Sequence, residues 1–340
     1  MPNRSSLLPA RPARLPRTSA NLAQPVDRAT FTVAADELPD RLDRYLARRL
    51  PWRSRVFFQT MIERGEVLVN AKPARPSRQL SPGDVIELHL ARHQQAYVPP
   101  NPAALDILFE DDVLLVLNKP PGVVVHPTGV HLYDTLLNAV HARYPHASYL
   151  PRPVHRLDKE TSGVLVLAKT DAARVHLGLQ IEQRRVVKTY RALVHGVMAP
   201  REGNIDLPIG DSRYSHIRLK QDVVREGGLP AHSSYYVEAS TPFTHDLLHG
   251  ASLVTVRLIT GRTHQIRVHL AAVGHPIIAD KLYGRERQCV IADLQITGHL
   301  LHAWKFSCQH PTSRELLTFV APLPPTFAAC VQALFGPGIA

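Results

Sequence analysis

Cysteine is scarce in this sequence. Only three cysteines occur in 340 residues, Cys289, Cys308 and Cys330, and none of them belongs to a C-x-x-C pair. This spacing excludes a disulfide framework and favours a reducing compartment. The 19 histidines lack the paired cysteine partners of a zinc site, so we predict no bound metal.

Long apolar runs are also missing. The longest, such as Val113–Leu117, have only the length of a strand, whereas a membrane-spanning helix needs about 20 apolar residues. The sequence therefore excludes a transmembrane protein.

Acidic residues are in the minority, with 29 Asp and Glu against 40 Lys and Arg and a formal net charge of +11. Such an excess favours a polyanionic partner, either a nucleic acid or an acidic membrane surface.

The chain length favours two domains with additional segments, and the apolar content of 44% can form a sizeable core. The first segment, residues 1–30, is rich in proline and arginine and has its first acidic residue at Asp27. We expect a disordered basic tail, because the segment offers no apolar core. Its composition would also suit an organelle transit peptide. It contains no apolar stretch of the kind found in secretory signals, so we expect the cytoplasm, with an organelle as the alternative.

Residues 31–98 are predicted to form a small α/β domain. Two short helical patterns, 39–50 and 53–65, precede strand patterns at 66–70 and 84–90. Between residues 41 and 78 there are ten basic residues and only three acidic ones. The usual interpretation of such a run is a solvated charged face. Its concentration in one small domain instead favours contact with RNA or DNA, and the residues chosen as candidates for this contact are Arg41, Arg44, Arg48, Arg53 and Arg64.

A proline-rich stretch, Tyr97–Pro102, predicts a linker, and a larger domain is expected over residues 99–335. Helices and strands alternate irregularly there, which favours an α+β fold with a mixed sheet over a strict βαβ repeat. The predicted helices are 133–144, 171–184 and 263–273, the last with Thr263 as a possible cap and Gly274 as its stop. The predicted strands are 113–117, 122–126, 163–169, 189–196, 233–239, 253–259 and 316–320.

Three polar clusters in this larger domain are candidates for chemistry. In PVHRLDKETSG (residues 153–163), Asp158 lies at the entrance of a strand, flanked by Arg156 and Lys159, whose positive charge would keep the carboxylate ionised. The alternative is a turn that caps the strand. In TGRTHQIRVH (260–269), Arg262 and His264 precede or begin a helix that can receive a phosphate. The alternative is an ordinary amphipathic helix.

Tyr190 lies in the third cluster, KTYRALVHG (188–196). A tyrosine in a strand is most often a core residue whose hydroxyl is hydrogen-bonded.

Together these clusters resemble the RluA-type pseudouridine synthases. HRLDKETSG carries that family's HRLD-x-x-TSG signature, LITGRTHQIRVHLAAVGHPIIADKLYG and KTYRALVHG resemble two further motifs, and FEDDVLLVLNKPPGVVVHPTG resembles the start of its catalytic domain. The resemblance covers about residues 105–325. The basic segment, through VLVNAKPARPSRQLSPGDVIEL, is similar to a small RNA-binding domain of a ribosomal small-subunit protein and of tyrosyl-tRNA synthetases.

The resemblance implies a fold and an activity. The fold would be a mixed, mainly antiparallel sheet with flanking helices, preceded by the small RNA-binding domain. The activity would be the isomerisation of uridine in RNA, without a cofactor. Asp158 would be the catalytic aspartate, acting as nucleophile or as proton shuttle. Arg267 would form an ion pair with it, Tyr190 would stack on the target base, and Arg156 would fill the space that the flipped uridine leaves.

Several alternatives stay open from the sequence. Large-subunit ribosomal RNA is the favoured partner because of the added N-terminal domain, transfer RNA is the alternative, and neither a membrane partner nor an oligomer is expected. A non-catalytic RNA-binding or ribosome-assembly protein is the main rival, although it would have no need of Asp158, Tyr190 and Arg267. A glycoside hydrolase with Asp158 and Glu160 as paired carboxylates is the weaker rival.

Overall fold

The structure is a computed structural model. It describes residues 28–35, 40–50, 55–89, 104–127, 134–147, 149–212, 215, 217, 220–242 and 250–339. Residues 1–27 of the predicted basic tail (1–30), the proline-rich linker and Arg53 lie outside these ranges, whereas residues 28–30 are described and lie in a strand rather than in a disordered tail. Contacts divide the described chain into two units, residues 28–89 and residues 104–339.

The smaller unit is an antiparallel sheet with two helices. Its elements in chain order are β1 (Arg28–Thr32), α1 (Leu42–Arg49), α2 (Arg55–Glu63), β2 (Val67–Val69), β3 (Lys72–Pro73) and β4 (Val85–His89). The sheet has the strand order β1-β4-β2-β3. Apolar residues of both helices and of β2 and β4 form one core that includes Leu46, Phe58 and Ile86. Strand β1 begins at residue 28 and pairs with β4 along its whole length.

The larger unit is built on a ten-stranded mixed sheet. Its strands and two short hairpins comprise β5 (Ile107–Glu110), β6 (Leu114–Lys119), β7 (Arg152–Pro153), β8 (Ser162–Ala168), β9 (Val187–His195), β10 (Glu202–Asp206), β11 (Ile209–Asp211), β12 (Gln221–Val223), β13 (His232–Thr241), β14 (Ala251–Leu258), β15 (Cys289–Ile291), β16 (Leu294–Ile296), β17 (Leu301–Gln309) and β18 (Leu316–Val320). Its helices are α3 (Leu136–Arg143), α4 (Asp171–Glu182), α5 (Gln265–Ala272) and α6 (Pro325–Phe335).

The sheet order is β10-β13-β14-β9-β17-β8-β6-β5, with β7 paired to β8 and β18 paired to β17. The pairing of β17 with β8 is parallel, and the other pairings described for this sheet are antiparallel. The predicted α+β class, with a mixed and mainly antiparallel sheet after a small α/β domain, is therefore confirmed. Within the described residues, no helix is long and apolar enough to cross a membrane.

Strand β8 explains how both faces of the sheet are filled. All seven of its residues are buried, and their side chains alternate between two cores. Leu165 and Leu167 pack in the core that also receives residues of α3 and α5. Val164 and Val166 pack in the opposite core, which includes Leu177 of α4. Because the sheet is covered on both faces at this point, the loop that enters β8 has a rigid base.

Two local predictions were wrong. Residues 122–126 do not form a strand: Gly122 has a φ of +81° and the segment that follows is irregular, so its backbone cannot continue the extended ladder of β6. The cap of α5 is His264 rather than Thr263. His264 has a φ of +56°, in the left-handed region, and its side chain makes no capping hydrogen bond with the helix.

Candidate active site

The loop of residues 154–161 carries Asp158 into the site. It joins β7 to β8, and the amide of Thr161 donates to the carbonyl oxygen of Asp158 at 3.2 Å, which closes a turn. Lys119, fully buried at the end of β6, binds the backbone of this loop and of the segment after β6. Its Nζ donates to the carbonyl oxygens of Pro120, Val123 and Lys159 at 2.7, 2.8 and 2.9 Å. Burial lowers the pKa of Lys119 to about 7.

Arg267 binds two carboxylates at once. Its Nη1 donates to Oδ2 of Asp158 at 2.9 Å, while its Nε and Nη2 donate to Asp280 at 2.6 and 2.8 Å. The Asp280 carboxylate is fully buried and the Arg267 side chain is 6% exposed. The paired hydrogen bonds fix the plane of the guanidinium, so Asp280 determines where Arg267 meets Asp158.

The segment after α5 positions Asp280. The amide of Ile278 donates to the carbonyl oxygen of Leu193 at 3.0 Å, which fastens this segment to β9. The amides of Leu282 and Tyr283 then donate to Oδ1 of Asp280 at 2.9 and 3.2 Å. A carboxylate that accepts amides two and three residues further on stabilises a tight turn.

Electrostatics keep both carboxylates ionised. Burial acts to raise the pKa of Asp158, but the neighbouring His264 and Arg267 outweigh it and hold this pKa below its ordinary value. Burial acts in the same way on Asp280, and its hydrogen bonds with Arg267 lower its pKa. Burial acts to lower the pKa of Arg267, whereas its bonds to Asp280 raise it. Asp158 is therefore a carboxylate near neutral pH and is available as a nucleophile or a proton acceptor.

His264 connects Asp158 to a second group of residues. Its Nε2 lies 3.7 Å from Oδ2 of Asp158, and its Nδ1 lies 2.8 Å from the hydroxyl of Tyr283. That hydroxyl accepts a hydrogen bond from the amide of Gln221 at 2.9 Å. Burial lowers the pKa of His264 below its ordinary value, so the ring is neutral near pH 7. The Tyr283 ring also packs against the guanidinium of Arg267, 5.0 Å from its centre.

Tyr190 lies on β9, opposite Val256 of β14, and its side chain is 7% exposed. Burial, together with the charge of Asp158, raises the pKa of its hydroxyl, so Tyr190 is a neutral phenol. The hydroxyl has no hydrogen-bond partner among the residues that the structure describes. A core tyrosine would have one, and this difference favours a functional position.

A cavity of about 510 Å³ brings these groups together. It is lined by Asp158, Tyr190, His264 and Arg267, and also by Arg156 and Arg262. The volume lies within the range usual for ligand sites. Arg156 is exposed at its edge, and Arg262 donates from Nε to the carbonyl oxygen of Pro230 at 3.0 Å. The candidate residues that the sequence indicated in the larger unit thus lie around one cavity.

Glu160 is not part of this lining. Its carboxylate faces Lys281, whose Nζ is 3.9 Å away, although the sequence offered it as a partner of Asp158. The loop therefore does not pair Glu160 with Asp158 in the geometry that a glycoside hydrolase needs. Among the described residues there is also no group of three or more His, Cys, Asp or Glu side chains that could hold a metal ion.

The basic candidates of the smaller unit differ in their surroundings. Arg41 donates from Nε and Nη2 to the buried Asp43, both at 3.2 Å, and Arg48 pairs with Asp40 at 2.5 Å. Arg44 and Arg64 are exposed. Exposed guanidinium groups are the ones that can reach phosphates without first leaving an internal partner.

Sequence reasoning missed Asp280, Tyr283 and Lys119. Asp280 and Tyr283 lie in ADKLYG and Lys119 in LNKPPG, both inside the quoted motifs, yet these letters alone do not distinguish a buried ion-pair partner from a turn residue. The signal available was an acidic residue inside an otherwise apolar stretch, since such a residue is rarely buried without a cation.

A half-buried carboxylate that an arginine holds ionised, in a cavity lined by further arginines, favours an enzyme that acts on a polyanion such as RNA. Residues 113–272 match the family model described as "RNA pseudouridylate synthase", and residues 40–86 match the S4 domain.

Curated proteins that match this chain over most of its length are also named pseudouridine synthases. The chain is 40% identical to "Ribosomal large subunit pseudouridine synthase D" of Neisseria meningitidis serogroup B, over 90% of this chain and 81% of that protein. It is 34% identical to "Uncharacterized RNA pseudouridine synthase YlyB" of Bacillus subtilis, over 89% and 97%. The solved structure of "Human RNA Pseudouridylate Synthase Domain Containing 1" is 28% identical and superimposes with a TM-score of 0.54, over 68% of this chain and 90% of that one.

The chain belongs to the RluA family of RNA pseudouridine synthases and carries an N-terminal S4 RNA-binding domain. It is an RNA isomerase.

Proposed function

We propose that this protein converts specific uridines of large-subunit ribosomal RNA to pseudouridine, with Asp158 as the catalytic residue. The observation that carries the proposal is the Asp158–Arg267 ion pair in the cavity, 2.9 Å long. The ribosomal choice is supported by relatives from Neisseria meningitidis and Nitrosomonas europaea, the latter 39% identical over 86% of this chain and 84% of that protein, which are named large-subunit pseudouridine synthases.

The reaction breaks the bond between C1′ of the ribose and N1 of uracil and forms a bond between C1′ and C5. N1 gains a hydrogen and C5 loses one, so the atoms balance without a co-reactant. Asp158 contributes either as a nucleophile at the sugar or as an acceptor of a sugar proton. In both roles it must be ionised, and the ion pair with Arg267 meets this requirement.

Tyr190 supplies a flat surface for the detached base. Its neutral phenol, with a raised pKa, is a poor free base at neutral pH, so stacking is its main role. Its hydroxyl can still take part in the removal of the C5 proton when a neighbouring group accepts that proton in turn. Arg156, exposed at the cavity edge, is suited to stack in the gap that a flipped uridine leaves, because its guanidinium is planar. Flipping itself costs roughly a few kcal/mol.

The smaller unit supplies RNA affinity through its S4 domain, and the exposed Arg44 and Arg64 are among the cations that contribute. Arg41, Arg48 and Arg53 are further candidates. A ribosomal substrate places the protein in the cytoplasm, where we expect it to act as a monomer.

Pseudouridine mapping tests this proposal. Total RNA from cells with and without the gene is treated with carbodiimide, and reverse-transcription stops are compared. Loss of one or a few stops in large-subunit ribosomal RNA supports the proposal. Loss confined to transfer RNA keeps the activity but overturns the substrate. If every stop persists, the purified enzyme is assayed on unmodified ribosomal RNA, and the absence of product there favours a binding-only role.

A further inference from the structure

Lys188 lies on β9, two residues before Tyr190, so the two side chains share one face of the strand. Both line the cavity that contains Asp158. Lys188 is half-buried, and burial lowers the pKa of its amine below the ordinary value. Within the described part of the chain, its Nζ makes no hydrogen bond and no ion pair. This cation therefore has no counter-charge among the described residues.

The surroundings of Lys188 are basic. Arg184 and Arg262 line the same cavity, and the acidic residues of the lining are Asp158 and Glu182. Asp158 is already paired with Arg267, and Glu182 is exposed to solvent. The cavity lining therefore carries an excess of positive charge.

The backbone of Gly261 lies next to the Lys188 amine. A Cβ built at Gly261 would lie 3.2 Å from the Lys188 Nζ, which is tighter than ordinary contact. An alanine here would displace the flexible end of the Lys188 side chain by a few tenths of an ångström.

We propose that Lys188 forms a phosphate subsite, which binds a backbone phosphate next to the uridine that occupies the cavity. This inference rests on the proposed function and names a positioning residue for it. Phosphates are the only formal negative charges of RNA, and an amine on a partly dry wall binds such a group strongly as a point charge. The contact fixes the flipped nucleotide through its phosphate, while Asp158 in the same cavity meets the sugar.

Binding to a single-stranded RNA that contains one uridine tests the subsite. The full chain with Asp158→Asn is used, so that no turnover occurs during the measurement. We expect Lys188→Gln in this background to weaken affinity about tenfold at low salt and to lower the salt slope by about 0.7. Lys188→Arg should retain the slope, since it retains the charge. Lys305→Gln is the matched control, because Lys305 pairs with Thr189 and so lies on the opposite face of the sheet.

A second probe removes the charge from the RNA instead. Neutral methylphosphonates are placed in turn on the 5′ and the 3′ side of the uridine. One of them should weaken binding to the Lys188 protein and have no effect on the Lys188→Gln protein. If Lys188→Gln leaves affinity and slope unchanged, or lowers affinity with no change of slope and no change in the methylphosphonate effect, the phosphate subsite is wrong.

Turnover by the wild-type enzyme separates this inference from the proposed function. If unmodified ribosomal RNA gains no pseudouridine while the binding results hold, the substrate proposal fails and the subsite stands. If pseudouridine forms and Lys188→Gln lowers kcat without changing KM, Lys188 acts in the chemistry and the subsite is overturned.

Discussion

Gly163 and Ala303 touch through their backbones, where β8 and β17 run parallel. A Cβ built on Gly163 would lie 2.2 Å from the carbonyl oxygen of Ala303, and Gly163 has a φ of +106°. Both facts exclude any side chain at this position. The last glycine of HRLDKETSG therefore maintains the strand junction from which the Asp158 loop departs.

Gly163→Ala should destabilise the protein by about 3 kcal/mol, because the junction must open and the backbone is strained. Urea unfolding of the full chain measures this effect. Gly178→Ala is the matched control: Gly178 lies in α4 with no atom near its added Cβ, so this change should stabilise the protein by about 0.5–1 kcal/mol. Equal free energies of unfolding for the two variants would contradict the claim that the strand junction at Gly163 excludes a side chain.

Asp158→Asn should lower pseudouridine formation by about 10⁴-fold or more, since it removes the reacting carboxylate. RNA affinity should stay close to that of the wild type, because the cations that bind the phosphates are unchanged. Single-turnover assays and equilibrium binding give the two quantities. Asp112→Asn, an exposed position, serves as the control. Substantial turnover by the Asp158 variant would move the catalytic role to another residue.

Asp280→Asn tests the buried partner of Arg267. An amide offers one oxygen acceptor in place of two, so the guanidinium loses its fixed plane. We expect kcat to fall about 100-fold, with KM nearly unchanged. Replacement of one partner of a buried pair also costs about 3–5 kcal/mol, so thermal unfolding is measured first and kcat is determined well below the Tm. A fall in stability without a fall in kcat would show that Asp280 only supports folding.

Buried histidines should make the protein sensitive to acid. Burial lowers the pKa of His302 to about 4, while the unfolded chain titrates near 6.5. The unfolded state therefore binds more protons between these pH values. The contribution of the neutral His302 ring to the free energy of unfolding is fully present above about pH 6.5 and is lost as the pH falls toward 4. For one such residue the loss is about 3 kcal/mol.

His302→Gln should reduce this loss. Its ring lies 2.8 Å from Oγ of Ser162 and 3.1 Å from the carbonyl oxygen of Ala321, and an amide can replace part of these bonds without taking a proton. Urea unfolding at pH 7.5 and pH 5 gives the difference. The exposed His146→Gln should leave it unchanged. An identical pH dependence in both variants would rule out His302 as a source.

The exposed arginines of the S4 domain should contribute to the salt dependence of RNA binding. Arg44→Gln with Arg64→Gln should lower the salt slope by about 0.7–0.9 for each phosphate that the variant no longer neutralises. Binding of a ribosomal RNA fragment over a series of salt concentrations measures the slope. Arg174→Gln provides the comparison, because Arg174 is paired with Asp171 at 3.3 Å on α4. A slope that does not differ from the wild type would exclude this face of the S4 domain.

The sequence predicted the fold class because a continuous apolar run such as 163–169 indicates a buried strand directly, and the structure buries β8 throughout. Strand β17 was missed, although it is central, because polar residues interrupt its pattern. His302 is fully buried there and is accommodated by hydrogen bonds to Ser162 and Ala321. These partners are far away in sequence, so composition alone cannot reveal them.

In the site, too, contacts between residues that are distant in sequence could not be predicted from composition. Asp158 and Arg267 are 109 positions apart, and only the resemblance to a family placed them together. Asp280 was not predicted, because its function depends on a contact with Arg267 across the turn after α5. The left-handed backbone of His264 was equally unreadable, since residues other than glycine seldom adopt it.

The two bonds from Arg267 to Asp280 have a consequence for charge during turnover. Asp158, Arg267 and Asp280 together carry one net negative charge, and Asp280 alone balances the guanidinium. Any step that neutralises Asp158, by bond formation or by protonation, leaves a buried pair of zero net charge rather than an isolated cation. The site is therefore electrically tolerant of the changes that its carboxylate undergoes, and the arginine has no reason to leave its position between one uridine and the next.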